Sequence, residues 1–236
     1  ERTNMKLTNA IAQFITQTTL LDIPPEVIHL CKRAILDTIG VSLAASHHES
    51  VQIVMEMSRD RIGKPTCGII GLGIKADCIN AALINGTMAH ALDFDDVNDQ
   101  MMGHPSAPLL PAIIALSEDA GTNGKTLIEA FAIGFEIECK MGLALGTSLS
   151  TKGWHPTSIL GTVGATAACS KLLNLNTYDT GMALGIAASM ASGMRLNFGT
   201  MTKPLHAGLA ARNGVQAALL AGQGFTSSSE ALDTPI

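Results

Sequence analysis

The stretch Asn85–Pro111, NGTMAHALDFDDVNDQMMGHPSAPLLP, constrains this chain more than any other. Four aspartates (Asp93, Asp95, Asp96, Asp99) and two histidines (His90, His104) stand between two apolar flanks of helical pattern. A loop so rich in titratable groups has to be held in place by the helices on either side of it. The rest of the chain agrees with that requirement. Apolar residues recur at helical spacing in Leu7–Thr18 (Leu7, Ile11, Phe14, Ile15). After Pro24 and Pro25, which suit a helix start, the stripe is Val27, Cys31, Ala34, Ile35, Thr38, Ile39 and Ser42.

Further helices are predicted over Ser50–Ile62, from near Lys75 to Ala91, and over Pro108–Asp119, Thr126–Leu145, Pro156–Leu173, Tyr178–Gly193 and Pro204–Ala221. Only Gly63–Gly73, with Thr66–Ile70 between glycines, reads as extended. The predicted fold is therefore all-α: a multi-helix bundle over residues 1–236, with at most a short β-hairpin near Thr66–Ile74. Aromatic residues make up 3% of the chain while glycine supplies 23 residues, so the core must gain contacts by close approach of small-residue helices. The tail, Gly222–Ile236, is rich in glycine and serine and ends on Thr-Pro-Ile with no capping element.

Mean hydropathy is positive, at +0.29, yet no apolar run reaches the roughly 18 residues that a spanning helix needs. The best candidate, Thr126–Leu149, is broken by Glu129, Glu136, Glu138 and Lys140. No signal-peptide pattern opens the chain, and a soluble cytoplasmic protein is expected. Five scattered cysteines without a CxxC pair indicate neither a disulfide framework nor zinc. A net charge of −5 without a basic run argues against a nucleic-acid partner.

Four of the nine prolines follow a basic residue: Lys64, His104, His155 and Lys203. The last three fall where helices are predicted to begin. A residue before proline is pushed into extended backbone, so each side chain would stand at a helix N-terminus, where free N–H groups favour an anion. If the three converge, they form a pocket for a substrate with several carboxylates. If they do not, they are three separate helix starts with solvated side chains. The aspartates admit more readings. Asp95-Asp96-Val97-Asn98-Asp99 matches the short DDxxD magnesium–diphosphate motif of terpenoid synthases, without a second magnesium motif downstream. A calcium loop fails because Asn98 occupies the position that needs glycine. One aspartate could instead orient a nearby histidine, or the stretch could be a solvated acidic loop. His90, one turn before Asp93, reads as structural, His29 reads as a surface residue of the second helix, and His47 and His48 carry no assignment. No Gly-x-Ser-x-Gly or Cys/His pair supports a covalent nucleophile.

Taken together, NGTMAHALDFDD, GHPSAPLLPA, GWHPTSILGTVGATAA and NFGTMTKPLHAGLAARNG resemble the MmgE/PrpD family, which includes 2-methylcitrate dehydratase, cis-aconitate decarboxylase and iminodisuccinate epimerase. The resemblance implies an all-helical domain, usually homodimeric, with a smaller α/β lid domain later in the chain, for which nothing up to Ile236 provides. It implies chemistry beside a carboxylate without a metal or cofactor. Asp93, His104, His155 and Lys203 fall on the family's active-site positions, with His206 in the same motif as Lys203. His155 or His104 is then the acid/base, Lys203 and His206 contact the substrate, and Asp93 is the histidine's partner. The reading is a 2-methylcitrate dehydratase-like lyase of propionate catabolism. An epimerase of a small dicarboxylate, or a carboxylate-binding, dimerising domain with incomplete catalysis, stands as the alternative. Val97 replaces the threonine that follows DFDD in decarboxylase-like members, and the loop Val97–Gly103 looks one residue longer. Both departures speak against cis-aconitate decarboxylation in particular.

Overall fold

The computed structural model describes residues 6–59 and 63–233. Among them are ten α-helices: α1 Leu7–Gln17, α2 Pro25–Ala45, α3 Glu49–Ser58, α4 Cys78–His90, α5 Ser106–Ala120, α6 Gly124–Leu145, α7 Ser148–Thr151, α8 Pro156–Leu172, α9 Thr177–Met190 and α10 Thr202–Gly222. One hairpin joins them, β1 Cys67–Gly68 antiparallel to β2 Lys75–Ala76, with Cys67 opposite Ala76. The all-α reading with a short hairpin holds. No described helix is long and apolar enough to cross a membrane. The predicted helix residues Asp60–Ile62 and the terminal Thr234–Ile236 lie outside the described residues.

Burial divides the helices into layers. In α4 every residue except Ile79 and Asn80 is buried, and in α8 every residue except Ile159 and Lys171. Helices apolar on all sides belong at the centre of a domain. There α10 packs against α4, α5 and α8, α5 also meets α4 and α8, and α6 lies against both α8 and α5. Small residues allow this. A side-chain carbon on Gly86 of α4 would lie 2.8 Å from the Cα of Gly208 on α10, and one on Gly134 of α6 would lie 2.8 Å from the carbonyl of Gly164 on α8. Outside this core, α1 and α9 close over Ile133, Ile137 and Val163 through Ala12, Ile15 and Leu184.

Capping explains several starts. Asp77 accepts from the N–H groups of Ile79 and Asn80, Asn123 from those of Lys125 and Thr126, and Asn176 from that of Asp179. The Asp77 cap corrects the predicted helix from Lys75: Lys75 and Ala76 are drawn into the hairpin, and helix begins only after Asp77. The hairpin loop is tied to the core by buried Asn85, which accepts from Ile70 N–H at 3.0 Å and donates to the Gly68 carbonyl at 2.9 Å.

Candidate active site

The site is built where the ends of α4, α5, α8 and α10 meet. Helix α4 ends at His90, and the chain then turns sharply: Asp93 takes a left-handed φ of 53°. Asp93 is therefore not on the helix of His90. The loop that follows is pinned rather than solvated. Asn98 and Gly103 exchange backbone hydrogen bonds, Met101 N–H donates to Asn98 Oδ1, and His104 N–H donates to Thr157 Oγ1 of α8 at 3.0 Å. Met101 is buried against Gly142 of α6, where a side-chain carbon would fall 2.5 Å from the Met101 Cα.

A second loop brings up the opposite wall. His155 N–H donates to the Gly193 carbonyl at 2.9 Å, and Arg195 N–H to the Gly153 carbonyl at 2.8 Å. Gly193 has a φ of 127° and leaves room for Ser158 and the His206 ring, which a larger residue would displace. This positions Phe198, whose ring lies edge-on to His155 at 4.7 Å and beneath the Lys203 ammonium at 5.5 Å.

Four histidines result in one continuous array. His104 meets His90 with ring centroids 4.6 Å apart, His90 stacks on His155 at 5.8 Å and 25°, and His155 meets His206 at 5.3 Å. The Nδ1 atoms of His155 and His206 are 3.1 Å apart, so one donates and the other accepts. At the open end Lys203 Nζ donates to Asp93 Oδ1, and His104 Nε2 stands 3.5 Å from the same oxygen. Asp95 is buried, with its oxygens 2.9 and 3.1 Å from His90 Nδ1 and Oδ2 also 3.2 Å from His104 Nδ1.

The charges follow from these contacts. Burial opposes ionisation of Asp95, but the hydrogen bonds and charges of His104 and His90 outweigh it and hold the carboxyl well below the usual range. For His104, burial disfavours the cation, and Asp95 more than restores it, so its pKa lies above the ordinary histidine value. His155 goes the other way: burial first, then the neighbouring His90, His206 and Lys203, push it down to about 2. Burial against Asp93 is likewise outweighed by the Lys203 ammonium, which lowers its pKa.

Asp93, His104, His155, Lys203 and His206 are thus brought together from three separate parts of the chain. Two details go beyond the sequence. His90 lies at the centre of the array, and the buried carboxylate beside His90 and His104 is Asp95, whereas half-exposed Asp93 meets Lys203 and stands 3.5 Å from His104 Nε2. Two of the three expected helix starts also differ in the fold. The free N–H of Ser106 at the start of α5 is taken by Asp96, so it is not open to a substrate, and Lys203 lies within the first turn of α10 rather than before it. No side chain caps the starts of α8 and α10. Donor atoms of His90, Asp93, Asp95 and His104 all lie within 4.8 Å of one another, a spacing that could close on a metal ion. Here the Lys203 ammonium is the cation that sits on Asp93. A cavity of about 770 Å³ opens between α2 and α6; Asp96 of the site's loop lines it, and none of the four clustered histidines does.

Residues 9–235 match the family model described as the MmgE/PrpD N-terminal domain. The chain belongs to the MmgE/PrpD family. It is 35% identical over 213 residues to the human protein named cis-aconitate decarboxylase, covering 88% of this chain and 44% of that one. It is 31% identical over 236 residues to the cis-aconitate decarboxylase-like protein oryM of Aspergillus oryzae (96% and 49% covered), and 31% over 234 residues to the cis-aconitate decarboxylase of Aspergillus terreus (96% and 48%). The chain spans about half the length of these relatives. Within this MmgE/PrpD domain, His90 could have been found from its place seven residues after Leu83, on a helix with no wet face. The role of Asp95 has no such signal, because adjacent aspartates look alike until the loop is folded.

Proposed function

We propose that this domain supplies the acid–base wall of a lyase that acts on a di- or tricarboxylate beside one of its carboxylates. The observation that carries the reading is a pair of histidines with oppositely displaced pKa values near one lysine. Environments that push two titratable groups apart are a mark of divided acid and base roles. In loss of water, neutral His155 takes the proton from the carbon next to the carboxylate, and His104, whose pKa Asp95 raises, protonates the departing hydroxyl. In loss of carbon dioxide, the breaking C–C bond leaves its electron pair on a carbon chain conjugated to a second carboxylate, no proton is removed from carbon, and His104 protonates the resulting carbanion. Lys203 exchanges Asp93 for a substrate carboxylate and stabilises the charge that develops on it, with His206 fixing the orientation of His155.

Loss of carbon dioxide is supported by the names of the relatives, all of them cis-aconitate decarboxylases or decarboxylase-like. Loss of water from a 2-methylcitrate-like substrate is the second reading, favoured by Val97 and the longer loop Val97–Gly103. The family also supports a homodimer, which sedimentation of the purified protein tests directly. The functional test is a panel of cis-aconitate, 2-methylcitrate and small dicarboxylates followed by NMR in heavy water. Cleavage with release of carbon dioxide or water is expected and identifies the reaction. Solvent deuterium entering a dicarboxylate without any cleavage overturns the lyase reading in favour of an epimerase.

A further inference from the structure

We propose that Asp95 and His90 are positioning residues: one buried carboxylate holds two imidazoles at once and, through the His90 ring, sets the plane of His155. Asp95 is far more buried than a loop or capping aspartate needs to be, with no side-chain exposure. Removing a carboxylate from water is costly unless it is paired and hydrogen-bonded. Here the partners are imidazoles: His90 Nδ1 is hydrogen-bonded to it, and His104 Nδ1 is an ion-pair partner at 3.2 Å without the alignment of a hydrogen bond. An ionised carboxylate can only accept, so His90 Nδ1 carries hydrogen. That fixes Nε2 as the nitrogen that the neutral His90 ring leaves free. In His104, Nε2 is the atom facing Asp93 at the open end. In His90 it is buried without a partner, and the residue is 1% exposed, so His90 cannot meet a substrate directly. Its ring is instead the surface on which His155 stacks, with His206 bonded to the other edge of His155.

The charged and titratable groups around this unit are Asp93 and Asp96 of the same loop, His155 at the start of α8, and Lys203 and His206 of α10, with Glu138 of α6 behind Asp96. Lys203 lowers the His104 pKa and Asp93 raises it, so Asp95 is the group that decides the sign. The consequence for turnover rests on the proposed lyase reading, while the tautomer assignment does not.

The experiment is long-range ¹H–¹⁵N NMR of the imidazoles in the 236-residue chain, for wild type and Asp95→Asn. In wild type, His90 should show hydrogen on Nδ1 when neutral. In Asp95→Asn the His104 titration midpoint should fall by about one pH unit or more, the scale of a lost carboxylate neighbour. An unmoved midpoint overturns the proposal. Should Asp95→Asn not fold, the wild-type spectrum decides alone: an Nε2–H tautomer at His90 overturns it. Where turnover is measurable, Asp95→Asn should lower kcat with KM held and move the alkaline limb of the pH profile downward, whereas a merely structural residue would leave that limb in place. The expected tautomers in a protein inert toward every carboxylate would sink the lyase reading and leave the positioning role standing.

Discussion

His155 and Glu138 illustrate how one solvent-free interior produces two different residue-scale effects. His155 is kept neutral beside cationic neighbours, which suits a base. If it takes the substrate proton, His155→Ala should lower turnover about a hundredfold or more, the usual scale for a general acid–base group. Steady-state kinetics on the accepted carboxylate checks this, and a near-normal rate would remove His155 from the mechanism. The raised His104 pKa also gives the pH dependence a sign. Activity that needs the His104 cation should persist above the ordinary histidine value and fall only as pH rises through the raised one. Glu138 has no catalytic partner to explain it. Its side chain lies fully buried against Gly161 and Gly164 of α8, with neither oxygen hydrogen-bonded. Burial, and then the charge of Asp96, raise its pKa well above the ordinary value. The folded state therefore holds a proton that the unfolded chain releases above about pH 4.3, and stability falls as pH rises from there toward the folded pKa. Glu138→Gln removes this dependence. Denaturant unfolding of the two proteins should show the variant gaining on wild type with pH, by at most about 1.4 kcal/mol per unit for one proton. Parallel curves from pH 5 to 8 would mean that Glu138 is ionised in the fold.

At the scale of elements, the helices were largely legible because their apolar stripes and proline starts are local properties. Glu138 shows where local reading stops: it falls seven residues after buried Phe131, on the core face of α6, and only that spacing distinguishes it from its wet neighbours Glu136 and Lys140. The short α7, the 3₁₀ turns at Leu20–Asp22 and Arg195–Asn197, and the strand at Lys75 carry too little periodicity to be read, since tertiary contacts decide them. The site was legible as motifs but not as geometry. Basic residues before prolines marked His104, His155 and Lys203, yet only the folded loop separates Asp93, which meets the lysine, from Asp95, which meets two histidines. Glycines were legible as a reason for close helix contact but not position by position. A side-chain carbon on Gly208 would collide with Thr87 Oγ1 and the Leu83 carbonyl and stand 3.0 Å from Thr87 N–H, two of them backbone atoms that cannot rotate away. Gly208→Ala should therefore destabilise the fold by about 1–3 kcal/mol through overpacking of α4 against α10. On exposed α2, Gly40 has nothing within 4 Å of such a carbon, so Gly40→Ala should stabilise by about 0.5–1 kcal/mol. Thermal melts of both variants check the pair, and equal shifts of the same sign would refute the packing argument.

On the scale of the whole molecule, residues near the two ends of the described chain hold each other. Helix α1 receives no cap from its own preceding residue, Lys6, so its first N–H groups need another acceptor. Asp233 provides it: Leu7 N–H donates to one carboxylate oxygen, and Thr8 N–H and Oγ1 donate to the other at 3.1 and 2.6 Å. Leu232 N–H returns a bond to Thr8 Oγ1 at 3.1 Å, and the Leu232 side chain packs against the cluster of Ala12, Ile15 and Leu184. The nearby Lys6–Glu230 pair, at 2.8 Å, is about half exposed on both sides, and such surface pairs contribute little. The clamp is therefore the Asp233 cap together with Leu232, and it closes α1 over α6, α8 and α9, behind the helix that starts at His155. Hydrogen bonds from Thr8 and Leu7 lower the Asp233 pKa. Its contribution is then complete above the ordinary aspartate pKa of about 3.9 and is lost as pH falls through the lowered, folded value. Asp233→Ala should speed amide exchange at Leu7, Thr8 and along the first turn of α1 at neutral pH while leaving α4 and α8 protected. Glu230→Gln should leave exchange in α1 nearly unchanged. Hydrogen–deuterium exchange read residue by residue separates the two variants, and equal exchange in α1 for wild type and Asp233→Ala would show that the helix holds itself without the clamp.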